Sequence, residues 1–209
     1  MVERMTPSAI DAMLRSEALR AALLRETPPL GIGDRAPEFS LVDQSGATIS
    51  LHDRLAHGPV VLLFYRGGWC PFCTLTLRAM QSIKQDLSRH NATLLTVSPQ
   101  MPAQSRLTAE RNYLDFPVLS DDGNAVARRY GLAWQVDDDM RALMHSLGHD
   151  LARVNSGAGW ELPFCATYVI DQTATITAAH VSPGITDRMD PAEVLRAVRT
   201  LATAPADPL

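Results

Sequence analysis

Residues 59 to 73 read Pro59-Val60-Val61-Leu62-Leu63-Phe64-Tyr65-Arg66-Gly67-Gly68-Trp69-Cys70-Pro71-Phe72-Cys73. The apolar run from Val60 to Tyr65 is short and rich in β-branched and aromatic side chains, which is the composition of a strand buried on both faces. Arg66 and two glycines end it. Beyond the cysteines, Leu77, Met80, Ile83 and Leu87 recur at helical spacing, so a helix follows. Cys70 and Cys73 therefore fall where a buried strand turns into a helix. Pro71 suits the first helical position, where its missing N–H has no intrahelical partner to lose. That makes Cys70 the cap residue and places Cys73 in the first turn. Free backbone N–H groups and the positive end of the helix macrodipole face Cys70. Such a setting favours the thiolate, the reactive form of a cysteine. The spacing also lets the second sulfur reach the first and close a reversible disulfide.

Composition narrows the class. With 209 residues, 46% of them apolar, the chain can build one substantial core with modest extensions. A net charge of −4 with no basic run argues against nucleic acid as a partner. Three cysteines, an odd number, do not suggest a secreted disulfide framework. Glu3, Arg4 and Asp11 interrupt the N-terminus, so no signal peptide is read there. No apolar stretch approaches membrane-spanning length. A soluble, cytoplasmic protein is expected, with no membrane partner.

Working outward, residues 7 to 26 read as a helix capped by Thr6, with Ile10, Leu14, Ala18 and Ala21 on its buried face. It covers its own domain or, on a second reading, serves as a lid or homodimer element. Residues 38–43 and 47–51 form a hairpin across Gln44-Ser45-Gly46. The helix after Cys73 runs to about His90. Residues 92–97 form a second buried strand, 103–112 a helix, 116–119 a short strand and 124–130 a short helix ended by Gly131. Between 133 and 158 the pattern is weak. Asp137-Asp138-Asp139 caps a helix there that carries His145 and His149 four apart. That is metal-like spacing, but the pair lacks the glutamate of an H-E-x-x-H pattern and reads as solvated or core histidines. Residues 168–171 and 175–181 make a last hairpin, and Asp190 caps a closing helix from 191 to 202. The chain divides into an N-terminal helical extension (1–30), an α/β domain (31–203) and a tail (204–209). Strands alternating with helices and then an antiparallel hairpin predict a central mixed β-sheet flanked by helices on both faces.

From residue 31 to 202 the chain resembles the thioredoxin fold in its peroxiredoxin branch, the alkyl hydroperoxide reductase/thiol-specific antioxidant family. The resemblance rests on Gly33-Asp34-Arg35-Ala36-Pro37-Glu38-Phe39, Phe64-Tyr65, Val97-Ser98-Pro99 and Phe116-Pro117-Val118-Leu119-Ser120-Asp121. Ala127, Tyr130-Gly131 and Ala166-Thr167-Tyr168-Val169-Ile170-Asp171 complete it. The departures fall at the cysteine turn. Arg66 stands where the family has a proline, Cys70 where it has a threonine, and Cys73 on the peroxide-attacking cysteine. Six residues before Asp171, where the family has an arginine and thioredoxin-like relatives a cis-proline, stands Cys165. The resemblance therefore implies that Cys165 lies beside Cys70 and Cys73. The turn is similar to that of a peroxiredoxin-like subgroup with Arg-Gly-x-Trp-Cys-Pro-x-Cys.

The implied activity is thiol-dependent reduction of hydroperoxides through a sulfenate–disulfide cycle at Cys70 and Cys73, reset by an external dithiol such as a thioredoxin-like protein. The thioredoxin register makes Cys70 the attacking thiol, the peroxiredoxin register Cys73, and the cap position favours Cys70. Arg66, Trp69, Pro71 and Thr167 are the candidates for binding substrate and shaping the site, Arg66 as a cationic donor or as a partner for an acid. Cys165 is a third redox sulfur, a metal ligand or an inert small residue. Two other functions stay open: a thioredoxin-like disulfide reductase, and a protein holding a metal on Cys70, Cys73 and Cys165. The peroxidase reading needs neither a metal nor another cofactor.

Overall fold

The computed structural model describes residues 7–203, so Thr6 and the tail 204–209 lie outside the described residues. Helix α1 (Pro7–Glu26) leads to a hairpin of β1 (Ser40–Val42) and β2 (Thr48–Ser50), then to a short α2 (Leu51–Leu55). The unit β3 (Val60–Phe64), α3 (Pro71–Arg89), β4 (Thr93–Ser98), α4 (Pro102–Asn112) and β5 (Val118–Ser120) follows. Next come α5 (Ala125–Arg129), β6 (Ala133–Gln135), α6 (Asp138–Ser146), α7 (Leu151–Val154) and β7 (Glu161–Pro163). The chain closes with β8 (Cys165–Ile170), β9 (Ile176–Ser182) and α8 (Pro191–Thr203).

Seven strands form one mixed sheet in the order β2-β1-β5-β4-β3-β8-β9. The apolar run Val60–Phe64, β3, lies well inside it, with all five residues buried. It pairs in parallel with β4 and antiparallel with β8, with Leu63 opposite Thr96 and Thr167. Because side chains alternate along a strand, β3 feeds two cores. Val61 and Leu63 pack with Leu77, Met80 and Leu87 of α3 and with Val194 and Val198 of α8. Val60, Leu62 and Phe64 pack on the other side with Tyr130, Leu132, Trp134 and Tyr168. Strands buried on both faces cannot alternate polar and apolar residues, which explains the unbroken apolar run. Helices cover both faces of the sheet, as expected. Among the described residues no helix is long and apolar enough to cross a membrane.

Several local expectations need correction. The first hairpin is shorter than expected because the Ser50 hydroxyl accepts from the Asp53 N–H (3.1 Å), ending β2 and starting α2 at Leu51. The strand expected at 116–119 is β5 at Val118–Ser120, and the last hairpin begins earlier than expected, with Cys165 inside β8. The weak stretch conceals β6, which pairs with β7 in a two-stranded sheet. Asp137 does cap α6, accepting from the Met140 N–H at 2.9 Å. That helix stops at Ser146, so His149 is not on it. Gly148 takes a left-handed φ of 80°. The Gly148 N–H donates to His145 O and the His149 N–H to Met144 O, which is a Schellman stop.

The buried face of α1 is also not the expected one. Ile10 and Leu14 are exposed, Leu14 to 61%. The buried line is Ala12, Ser16 and Arg20, set four apart. The Ser16 hydroxyl donates to Asp137 Oδ2 (2.6 Å), and the Arg20 guanidinium lies 4.9 Å from the Trp134 ring centre. Polar partners thus orient this helix on its own chain, and a count of apolar residues is blind to them.

Candidate active site

The strand ladder runs one residue past β3, with the Tyr65 N–H donating to Val97 O at 3.0 Å. The two glycines then allow close approach. At Gly67 (φ 150°) the Trp69 indole occupies the space of a side chain: a Cβ there would sit 2.3 Å from Nε1. A Cβ on Gly68 would sit 2.1 Å from Thr108 Oγ1 of α4. The Gly68 N–H donates to Gln100 Oε1 (2.8 Å), which also accepts from the Thr108 hydroxyl (3.3 Å). The turn is thereby held against α4, and α3 starts at a fixed place.

Cys70 caps that helix in an extended conformation (φ −86°, ψ 117°), and Pro71 follows in the first turn. The Thr74 N–H donates to the Cys70 carbonyl at 3.1 Å. The Cys70 sulfur makes no capping hydrogen bond of its own. The Cys73 thiol and backbone N–H in the first turn of α3 both act on it. Cys70 is 5% exposed, while Cys73 and Cys165 are buried, and all three are free thiols. Cys73 Sγ lies 3.9 Å from Cys165 Sγ, although the residues are 92 apart in sequence. Arg66, also buried, donates from Nη2 to Gly184 O (3.3 Å) and has no partner at Nε. Its charge acts on all three sulfurs, and its side chain is within hydrogen-bonding reach of Cys165.

These neighbours set the ionisation order. The Cys73 thiol, directed at the Cys70 sulfur, lowers the Cys70 pKa; burial opposes it and Arg66 assists, bringing Cys70 to about 7. For Cys73 the Cys165 thiol acts downward, but Cys70 and burial together outweigh it and the thiol is pushed up. Cys165 is raised well above the ordinary thiol range, first by Cys73 and then by burial. Burial works against the Arg66 charge, yet the sulfurs raise its pKa overall. The site thus holds one ready thiolate beside two thiols. An acid with a lowered pKa is ionised at lower pH, so its alkylation rate rises earlier on the pH scale. In the reduced protein, iodoacetamide labelling of Cys70 is expected to rise with a midpoint near pH 7 and level off above about pH 8, where an unperturbed cysteine is still climbing. Stopped-flow or mass-spectrometric labelling across pH 5 to 10 checks this.

Of the other candidates, Trp69 is half-buried over Gly67, packs against the sulfur-containing core and meets the His149 ring at a tilt of 45°, with centroids 5.5 Å apart. Pro71 fixes the start of α3. Thr167 lies within β8, opposite Leu63 and His180, on the sheet rather than in the turn. His145 meets the Trp160 ring in a tilted contact, with centroids 4.7 Å apart. Among the described residues no group of three His, Cys, Asp or Glu side chains is arranged to hold a metal ion.

The sequence reading missed the supports behind Arg66. Arg20 Nε donates to Pro183 O (2.8 Å), the carbonyl next to the one Arg66 holds. Ser182, opposite Cys165 on β9, accepts from the Gly184 N–H (3.0 Å). Two buried arginines thus grip adjacent peptides of one turn beside Cys165. Burial and the nearby Arg66 charge bring the Arg20 pKa down to about 10. Arg20 falls on the helical line of Ser16, but a lone charge among apolar neighbours carries no sequence signal for such a role.

Comparison with known proteins adds the family context. A family model described as the AhpC/TSA family matches residues 32–179. Peroxiredoxin Bcp of Escherichia coli (strain K12) is 32% identical over 104 residues, covering 50% of this chain and 66% of that protein. The chain thus matches just under two thirds of that relative's length. The crystal structure of peroxidoxin BcpB from Mycobacterium tuberculosis superimposes with a TM-score of 0.66 at 23% identity, covering 82% of this chain and 98% of that one. Bacterioferritin comigratory protein of Xanthomonas campestris, whose structures concern alkyl peroxide reduction, gives a TM-score of 0.62 at 16% identity, covering 79% of this chain and 92% of that one. The likeness to these two structures is one of fold.

Proposed function

The chain belongs to the AhpC/TSA family, and from that premise and the site geometry we propose that it is a thiol peroxidase in which Cys70 attacks the hydroperoxide and Cys73 resolves the product. The Cys70 thiolate attacks the terminal peroxide oxygen. The O–O bond breaks, the oxygen passes to sulfur as a sulfenic acid, and the other half leaves as an alkoxide or hydroxide that takes up a proton. Arg66 and the free N–H groups at the start of α3 are the donors for the charge that develops on the leaving oxygen. The Cys73 sulfur then attacks the Cys70 sulfenic sulfur, forming the Cys70–Cys73 disulfide and releasing water. An external dithiol reduces that disulfide by exchange, which requires a reducing compartment such as the cytoplasm.

The observation that carries this reading is Cys70 as the cap residue of α3 with the buried Cys73 in the first turn behind it, a setting that lowers the Cys70 pKa and raises that of Cys73. The near-complete burial of all three sulfurs favours a small substrate over a protein disulfide. Incubation with hydrogen peroxide or an organic hydroperoxide and a dithiol is expected to consume peroxide catalytically. The Cys70→Ser, Cys73→Ser double variant is expected to fall to the rate of the dithiol alone. Full activity in that variant would refute the proposal, and insulin disulfide reduction outpacing peroxide turnover would assign the site to disulfide exchange instead.

A further inference from the structure

The peroxidase cycle leaves one nucleophile unused. Cys165 is buried, 3.9 Å from Cys73, and presents its sulfur to the residue that also touches Cys70. Cys73 is therefore the middle member of a row of three sulfurs. We propose that Cys165 is a second resolving thiol: once Cys70 and Cys73 are joined, Cys165 attacks the Cys73 sulfur and moves the disulfide inward, releasing Cys70. The inference rests on the redox reading of the Cys70–Cys73 pair given above.

The exchange balances without an outside reagent. Cys165 gives up its proton, the Cys73–Cys165 bond forms, the Cys70–Cys73 bond breaks, and Cys70 departs with the electron pair. The proton goes to solvent or to Cys70, and the number of disulfides is unchanged. Direction follows from the leaving group: exchange expels the thiol with the lowest pKa most readily. Of the three sulfurs that one is Cys70, the cap residue of α3, where the Arg66 charge and the Cys73 backbone N–H still favour the thiolate as it departs.

The same geometry switches the step on only after oxidation. In the reduced protein the contact with the Cys73 sulfur, followed by burial, disfavours a thiolate at Cys165. Closing the first disulfide takes the Cys70 and Cys73 sulfurs out of the competition for a proton. The Arg66 guanidinium, which the reduced protein shares among three sulfurs, then faces Cys165 as the one sulfur still able to ionise. Arg66 Nε, buried and without a protein partner, is a donor available to that thiolate. The adjacent Gly184 carbonyl holds the guanidinium in place. Oxidised protein consequently stores its disulfide in the core and leaves Cys70 as the free sulfur at the helix mouth.

The test maps bonds in the intact chain. Reduced protein is oxidised with one equivalent of hydrogen peroxide and, in parallel, with diamide. It is then alkylated with iodoacetamide, cleaved after Phe72 and elsewhere by chymotrypsin, and analysed by mass spectrometry. The expected result is a Cys73–Cys165 linkage with the label on Cys70, in excess over label on Cys165 by about tenfold or more. In Cys165→Ala and Cys165→Ser the linkage is expected to revert to Cys70–Cys73 and labelling of Cys70 to disappear. A Cys70–Cys73 linkage with the label on Cys165 in the unaltered protein overturns the inference. The diamide arm separates the two readings. If peroxide is not consumed but diamide yields Cys73–Cys165 with Cys70 labelled, the peroxidase proposal fails and the relay stands.

Discussion

Cys70→Ser is expected to lower peroxide turnover by at least about a thousandfold, because it removes the nucleophile itself. Cys73→Ser is expected to behave differently. Its Cys70 thiolate still reacts with one equivalent of peroxide, but the sulfenic acid then lacks its adjacent resolving sulfur. A burst of one equivalent followed by a stall is expected, with the sulfenate trapped by dimedone at Cys70. The two variants thus separate attack from resolution, a choice the sequence leaves open between two registers. The geometry favours the first register: Cys70 is the cap residue and the more exposed of the pair, whereas Cys73 is wholly enclosed. A burst retained in Cys70→Ser and lost in Cys73→Ser would transfer the attack to Cys73.

The second large effect is expected at Arg66. Methionine at this position keeps much of the apolar stem but removes the one guanidinium whose charge acts on all three sulfurs. The Arg66 charge acts downward on the Cys70 pKa, after the larger effect of the Cys73 thiol, so its loss should move the Cys70 labelling midpoint upward, by up to about one unit. At pH 7 that alone reduces the thiolate several-fold. Loss of a donor to the leaving oxygen adds a further factor of about 100 or more in the peroxide step. Arg66→Lys is expected to restore much of the midpoint and less of the rate, since an ammonium keeps the charge but not the planar fork. If Arg66→Met leaves the midpoint where it was, Arg66 serves only as a strut on the Gly184 carbonyl.

Arg66 itself was legible as a candidate, because it sits one residue past an aromatic pair at the end of a buried strand. The company it keeps was not. Arg20 reaches Pro183 across 163 residues of sequence, and Cys73 meets Cys165 across 92. Neither contact leaves a periodic trace in either segment. Cys165 was placed near the turn only through its alignment to a family pattern, six residues before Asp171. The contact it makes, with Cys73, is set by the register of β8 against β3 and β9 and by the path of α3 above them.

What the sequence determined by itself is what neighbouring residues impose on one another. A continuous apolar run demanded a strand with both faces covered, a proline after a cysteine fixed where the next helix begins, and two intervening residues brought two sulfurs to one helical mouth. The tertiary structure alone decided which face of α1 is buried, that the weak stretch hides β6, and which groups Arg66 and Cys165 meet. The reason is physical. Burial periodicity reports whether a segment has a covered side, whereas hydrogen bonds and charges between distant elements depend on how layers stack, and stacking is written in no single segment.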